Sequence, residues 1–165
     1  MTARHERFPL FPLGVVALPG EPIPLHIFEP RYRTMIGECL EREREFGIVW
    51  LADEELKPIG CACAVEEVLE RLDDGRLRIL ARGTRPFRLL ERDDGLPYPA
   101  GTVEFVEDGE EPRDEGALRR AHETYAALVQ AATDRDPDPD ELAAMSAYAM
   151  AATIEFGLEA KQRLL

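Results

Sequence analysis

The opening of the chain, from Phe8 to Arg33, constrains the fold most, because six of the thirteen prolines separate short apolar runs there. Proline has no backbone N–H and a fixed φ, so it interrupts helices and is tolerated in sheets mainly at edges, strand starts and bulges. The runs Phe8–Phe11 and Val15–Leu18 are therefore predicted as strands, followed by a turn at Pro19-Gly20. After the turn, the next strand is predicted at 23–27, where apolar and other residues alternate.

One helix is predicted next. Pro30 suits the first helical position, where the N–H is unpaired in any helix. Apolar residues at 32, 35, 36, 39 and 40 then recur at helical spacing, and the charged residues between them continue to about Glu45. The continuous apolar run Phe46–Leu51 is typical of a strand that is buried on both faces.

The region from residue 59 to 106 has the pattern of further strands. The predicted strands are Ile59–Leu72, Leu77–Arg82, Phe87–Leu90 and Tyr98–Val106. Asp73-Asp74-Gly75 is the type of sequence that turns a hairpin. The stretch Gly83–Pro86 is predicted to break the strand that contains it.

The remainder of the chain is predicted to be helical. Glu107–Glu115 is charged and lacks an apolar period, which indicates a linker. Helices are predicted through Leu118–Val129, Leu142–Phe156 and Leu158–Leu165. The sequence therefore predicts an α+β chain, with a β subdomain at 1–106 and a helical subdomain at 107–165.

Charge and cysteine content narrow the possible roles. With 33 acidic and 20 basic residues the net charge is −13, which repels phosphate backbones at a distance. The chain has no apolar run of membrane-spanning length and no secretory pattern at its start. Three cysteines are too few for a disulfide framework in a chain of 165 residues. These features together predict a cytoplasmic location.

Several short motifs, in this order, resemble one family. They are PLFPL at Pro9–Leu13, Pro19-Gly20, PLHIFEPRYR at Pro24–Arg33, Gly60-Cys61 and ARGTRPF at Ala81–Phe87. The order resembles the Lon substrate-binding domain, the N-terminal module of ATP-dependent Lon proteases, which is also found as a stand-alone bacterial protein. The resemblance runs from Phe8 to about Leu165. It implies one domain, with an N-terminal PUA-like β pseudo-barrel that carries one inserted helix and a C-terminal helical bundle.

Candidate catalytic groups are sparse. The chain contains no phosphate-binding loop, and its only serine, Ser146, is predicted inside a helix with no base nearby in sequence. A Ser146–Lys161 dyad and a catalytic cysteine paired with His26 or His122 are therefore both disfavoured. Cys61 and Cys63 lack the additional nearby ligands of a zinc site. The sequence predicts no enzyme activity, no cofactor and no metal.

The resemblance implies a module that binds unfolded or exposed polypeptide segments, or a partner protein. Strands with proline-guarded edges also suggest that an extended peptide could add to one of them. The candidate binding residues are Phe11, His26, Phe28, Arg31, Trp50 and Tyr98. A structural role for His26 or Arg31, through Glu29, remains an alternative for these two.

An RNA-binding role is the alternative function, because PUA-type barrels bind RNA. It would use a local basic stripe formed by Arg76, Arg78, Arg82, Arg85 and Arg88. Such a site requires these side chains to cluster on one face with aromatic residues between them. A third hypothesis, a small hydrolase, requires a deep pocket that contains both a nucleophile and a base.

Overall fold

The computed structural model describes residues 2–107 and 114–165, which form seven strands and five helices. The strands are β1 (Arg4–Leu13), β2 (Pro22–Ile27), β3 (Phe46–Ala52), β4 (Glu55–Leu56), β5 (Ile59–Arg71), β6 (Leu77–Asp93) and β7 (Ala100–Phe105). The helices are α1 (Pro30–Arg42), α2 (Glu115–Thr133), α3 (Pro139–Ala144), α4 (Ala147–Ala152) and α5 (Leu158–Leu164). The described chain is thus a mixed α and β structure. The predicted linker at 107–115 lies largely outside the described residues.

Five strands form a closed circuit of pairings. The order is β1-β7-β6-β5-β3, and β3 then pairs with β1 in parallel, from Leu10↔Gly47 to Leu13↔Trp50. All other pairings in the circuit are antiparallel. Two strands lie off the circuit, because β2 pairs with the first part of β6 and the short β4 pairs with β3.

Two predictions about the strands are wrong. Residues Val15–Leu18 form no strand; they follow β1 as an irregular segment in which residues 16–18 are nevertheless buried. Gly83–Pro86 does not interrupt β6, which continues to Asp93. The pairing with β5 instead shifts there, since Ala62 is opposite Arg85 while Cys63 is opposite Gly83. Thr84 is the extra residue of a β-bulge beside Gly83, and Pro86 stays in register opposite Cys61.

The β-rich part contains two apolar clusters. The first cluster lies between α1 and the strands and includes Tyr32, Met35 and Ile36 from the helix. The second cluster draws its members from the five strands of the circuit: Phe8, Leu10, Val49, Ala62, Phe87, Val103 and Phe105. Successive side chains of a strand point to opposite faces of the sheet. The same strands can therefore contribute to both clusters, one covered by α1 and the other, the strand-only core, formed by strands alone.

The predicted helix from Leu142 to Phe156 is instead two short helices. α3 begins after Asp138, whose carboxylate accepts from the backbone N–H groups of Asp140 and Glu141. α4 begins after Ser146, whose hydroxyl accepts from the Ala149 N–H at 3.1 Å. Ser146 is therefore a helix cap, because its side chain bonds the backbone of the next helix. The other two predicted helices are observed as α2 and α5.

By its internal contacts the described chain divides into two compact units. One comprises the residues up to Glu107 together with Phe156–Leu165, and the other comprises residues 114 to Glu155. In the first unit, α5 is attached to the strands by an ion pair of 2.7 Å between Lys161 Nζ and Glu21 Oε1. The Gln162 amide also donates to the Ile59 carbonyl oxygen at 2.8 Å. α5 therefore belongs with the strands, whereas the sequence grouped it with the helical subdomain.

Two contacts within the second unit hold α2 against the short helices. The His122 ring nitrogen Nε2 lies 2.9 Å from the Met145 carbonyl oxygen, and the Tyr125 hydroxyl lies 2.8 Å from Thr153 Oγ1. None of the described helices has the length and apolar character that crossing a bilayer requires.

Candidate functional site

A groove of about 480 Å³ opens on the first unit, within the range of about 300–1,000 Å³ that is usual for ligand pockets. One wall is the end of β1, and the other follows β2 into the first turn of α1. The turn between β3 and β4 and the end of β6 complete the rim. The lining residues are Phe11, Pro12, Leu13, residues 24–29, Arg31, Tyr32, Leu51, Glu54, Leu56, Arg92 and Pro99.

Apolar side chains are exposed along this groove. Phe28 is 57% exposed and Leu51 is 41% exposed, which makes them two of the large apolar residues that face solvent. Leu13, Leu25 and Leu56 are half-buried beside them. Apolar surface that is concentrated in a concave site, rather than scattered singly, is typical of binding sites.

Aromatic stacking supports the groove from below. The rings of Phe11 and Tyr32 are nearly parallel, with centroids 4.1 Å apart, and both side chains are almost fully buried. The Arg31 guanidinium lies 4.7 Å from the Tyr32 ring centroid and 3.3 Å from the Glu29 carboxylate. The first turn of α1 is thereby attached to β1, which holds the two walls at a defined distance.

The outer edge of β2 borders the groove but offers few backbone donors. Gly83 N–H donates to the Glu21 carbonyl oxygen at 3.0 Å, just before β2 begins. In an antiparallel pair, only every second residue bonds its backbone groups to the neighbouring strand. The backbone N–H and C=O positions of the even-numbered residues of β2 therefore point away from β6. Two of these, Pro22 and Pro24, have no N–H, which leaves only His26 as a donor. A peptide strand added here would find carbonyl acceptors but a single N–H.

The structure brings four of the six predicted binding residues together. Phe11, His26, Phe28 and Arg31 line the groove, and the His26 and Phe28 rings are 5.6 Å apart. Trp50 does not line it; this side chain is half-buried, with Lys57 Nζ 5.7 Å from its ring centroid. The ion pair between Arg31 and Glu29 also agrees with the alternative interpretation, in which Arg31 has a structural role.

Tyr98 lies in the core rather than on the groove. It is 4% exposed, and its hydroxyl donates to Glu38 Oε2 at 2.6 Å. Burial first, and then the hydrogen bond to Glu38, raise the pKa of the Tyr98 phenol to about 12. The neutral phenol is therefore the form that the fold stabilises.

We expect the stability of the protein to fall as pH rises from 10 to 12 through the raised pKa of Tyr98. In that window the unfolded chain releases a proton that the folded chain retains, which favours unfolding by on the order of 2 kcal/mol. Urea denaturation of the protein and of Tyr98→Phe at several pH values tests this. The variant is expected to be less stable at pH 7, where it lacks the hydrogen bond, and the difference is expected to shrink towards pH 12. A difference that is independent of pH would contradict the prediction.

The arginines of the proposed RNA stripe are largely paired with carboxylates. Arg76 pairs with Asp74 at 2.6 Å, Arg78 with Glu70 at 3.4 Å, Arg82 with Glu66 at 2.7 Å and Arg85 with Glu45 at 3.2 Å. The fifth, Arg88, lies opposite Glu104 in the strand register. These acidic partners neutralise the stripe, so the arrangement does not favour binding to a phosphate backbone.

The described residues offer no activated nucleophile. All three thiols are buried, and burial raises the pKa of Cys39 to about 11. A hydrogen bond with Cys61, followed by burial, likewise raises the pKa of Cys63. A reactive thiolate requires the opposite shift. Ser146 caps a helix and Lys161 pairs with Glu21. Within residues 2–107 and 114–165 no three His, Cys, Asp or Glu side chains are placed to hold a metal ion.

The groove contains residues that sequence reasoning missed. They are Leu13, Leu51 and Leu56 among the apolar ones and Glu54 and Arg92 among the charged ones. A signal was present for one of them, because Leu51 ends an apolar strand immediately before a charged turn. The others gave no signal in sequence, since Arg92 joins the groove only through the pairing of β6 with β7.

A sequence profile described as "ATP-dependent protease La (LON) substrate-binding domain" matches residues 7–165. Lon protease 1 of Hydrogenovibrio crunogenus is 26% identical over 171 aligned residues, which cover 92% of this chain and 20% of that protein. The chain therefore spans about a fifth of the length of this relative.

Two solved structures are similar over nearly the whole chain. The crystal structure of a Lon N-terminal domain protein from Xanthomonas campestris has a TM-score of 0.64 and 29% identity, and the match covers 98% of this chain and 88% of that one. The N-terminal domain of Mycobacterium avium complex Lon protease has a TM-score of 0.59 and 18% identity, with coverage of 96% and 95%, and supports the fold alone. The chain belongs to the family of the ATP-dependent protease La (LON) substrate-binding domain.

Proposed function

We propose that this chain is a non-catalytic module that binds unfolded or exposed polypeptide segments in the groove between β1 and β2. The observation that carries the proposal is the exposure of Phe28 and Leu51 inside one concave site of about 480 Å³. Membership of a substrate-binding family supports the same role. Phe11, His26, Phe28 and Arg31 contribute to the binding surface, and an apolar side chain of the bound segment packs against Phe28.

Side chains, rather than strand addition, provide most of the binding energy in this proposal. The free edge of β2 has one backbone donor, so a peptide strand would gain few hydrogen bonds from it. Packing of apolar side chains is tolerant of sequence, which suits a module that accepts many unfolded segments. The partner is protein and not nucleic acid, because the arginine stripe is paired with carboxylates.

The proposal extends to the architecture and location. The closed circuit of five strands supports a PUA-like pseudo-barrel, and the contacts of His122 and Tyr125 support a helical bundle within residues 114–155. The buried thiols are consistent with a reducing compartment such as the cytoplasm. Neither catalysis nor a cofactor has a role in this function.

Fluorescence anisotropy with a labelled model protein, chemically unfolded or native, tests the proposal. We expect the protein to bind the unfolded form selectively. Phe28→Ser should weaken that binding about tenfold, because central aromatic side chains contribute most of the energy at such sites. Leu90→Ser is the matched control, since Leu90 is 41% exposed on β6 and does not line the groove. Equal binding by both variants would reject the groove as the site.

A further inference from the structure

The groove contains two charged side chains that are left without an ion-pair partner. Arg31 is paired with Glu29, but among residues 2–107 and 114–165 neither Glu54 nor Arg92 forms an ion pair. The acidic neighbour of Arg92 does not serve it, because Asp93 lies 3.8 Å from Arg7. One free cation and one free anion therefore line the same apolar site.

The two charges approach the groove at different points along β1. Arg92 is opposite Gly101 in β7, close to Pro99, whose carbonyl oxygen accepts from the Leu10 N–H at 2.9 Å. Glu54 lies in the turn after β3, and β3 pairs with β1 up to Leu13. Leu10 and Leu13 are three residues apart on β1, which is roughly 10 Å in a strand. The backbone segments that carry the two charges are thus attached near opposite ends of the β1 wall.

A polypeptide segment bound in the groove partly removes the Arg92 and Glu54 side chains from water. Their lost hydration must then be replaced by interactions with the segment. A purely apolar segment would leave both side chains without a partner, which costs free energy. A segment with one type of charge would compensate one end and be repelled at the other. A segment with an acidic residue at one end and a basic residue at the other compensates both Arg92 and Glu54. Such a segment also has no net charge, so the net charge of −13 on the protein does not repel it.

We propose that the groove prefers extended polypeptide segments in which a large apolar side chain lies between an acidic and a basic residue about three positions apart. The acidic residue binds at Arg92 and the basic residue at Glu54, while the apolar side chain packs on Phe28 and Leu51. This inference rests on the proposed function, since it specifies which segments the same groove selects.

Short labelled peptides with one shared apolar centre test the preference. They carry flanking Asp and Lys in either order, or glutamine at both flanking positions, and their binding is measured by anisotropy. We expect one of the two charged orders to bind about fivefold tighter than the glutamine peptide at low salt. That advantage should decline as salt is raised, because exposed charge pairs are screened.

Variants of the two charged residues identify the site. Arg92→Gln and Glu54→Gln should each reduce the advantage of the charged peptide about threefold and leave the glutamine peptide unaffected. Arg88→Gln and Glu55→Gln are matched controls, because both are exposed charged residues close in sequence that do not line the groove. The double variant Arg92→Glu, Glu54→Lys should reverse the preferred order of the charges.

The outcomes separate the preference from the binding function. If the charged and glutamine peptides bind equally well, and Phe28→Ser weakens both, the charge preference is overturned while polypeptide binding in the groove stands. If no peptide binds and unfolded protein is not bound either, the proposed function fails and the preference fails with it. Loss of the advantage in the control variants would also overturn the assignment to Arg92 and Glu54.

Discussion

Replacing Phe87 with alanine is expected to lower the free energy of unfolding by about 3–5 kcal/mol, the usual cost of removing a buried phenylalanine. Phe87 is fully buried, and it lies in the cluster to which the five strands of the circuit contribute. Its ring packs edge-on against Phe8, with centroids 5.6 Å apart. A Cβ atom at Gly47 or Gly60 would come within 2.6 Å of the ring, so both strands pack closely over it.

The measurement is urea unfolding followed by the fluorescence of Trp50, the single tryptophan of the chain. A typical domain has only about 5–15 kcal/mol of stability, so Phe87→Ala is expected to shift the midpoint strongly. Leu90→Ala is the control on the same strand, because Leu90 is 41% exposed and its loss should cost less than about 0.5 kcal/mol. Similar midpoints for the two variants would show that the strand-only core is not packed around Phe87.

Gly83→Ala is expected to destabilise the fold by roughly 3 kcal/mol, through overpacking and the loss of backbone hydrogen bonds. A Cβ atom at this position would lie 2.1 Å from the Leu18 carbonyl oxygen, which is backbone and cannot rotate away. The segment before β2 is attached at the same point, since Gly20 N–H donates to the Gly83 carbonyl and Gly83 N–H donates to that of Glu21. The added methyl group must push this segment off β6.

Gly37→Ala provides a control with the opposite expected sign. Gly37 lies in α1, and a Cβ atom there would meet nothing within 4 Å. Alanine is favoured over glycine inside a helix by roughly 0.5–1 kcal/mol, so this variant should be slightly more stable than the parent. If Gly83→Ala proved as well tolerated as Gly37→Ala, the close approach of Leu18 to β6 would be disproved.

A change at Gly83 also bears on the groove. The segment that Gly83 holds leads directly into β2, which forms one wall of the groove. Gly83→Ala is therefore expected to weaken peptide binding as well as stability, although Gly83 itself does not line the groove. The binding variants Phe28→Ser and Leu90→Ser should leave the unfolding midpoint little changed, because both side chains are exposed.

Local sequence patterns predicted most of the individual elements. The alternation at 23–27, the proline at the first position of α1 and the turn at 73–75 depend on interactions between residues near in sequence, and β2, α1 and the β5–β6 hairpin are found there. The pairings of Arg82 with Glu66 and of Arg31 with Glu29 follow from the same local register or spacing. The family assignment also rests on motifs that can be identified along the sequence, and it is confirmed.

Errors arose where a local signal was overridden by distant contacts. The pattern of Val15–Leu18 is that of a strand, but residues 16–18 are buried as irregular structure without a strand partner. Gly83 and Pro86 usually interrupt a strand, yet β6 continues through both and stays paired with β5, with one shift in register beside Gly83. The apolar spacing of residues 142–156 is continuous, but the hydroxyl of Ser146 caps a new helix and divides it.

The sequence by itself determined the types of most elements, the family and the absence of a phosphate-binding loop, because each depends on residue identity and short spacing. Only the tertiary structure decided which residues share the groove. Arg92 and Glu54 are 38 positions apart in the chain, and they meet at one site because β1 pairs with β7 on one side and with β3 on the other. Side-chain neighbours across a closed circuit of strands depend on the register of every pairing, and a turn fixes that register only within a hairpin, not between strands that are distant in sequence.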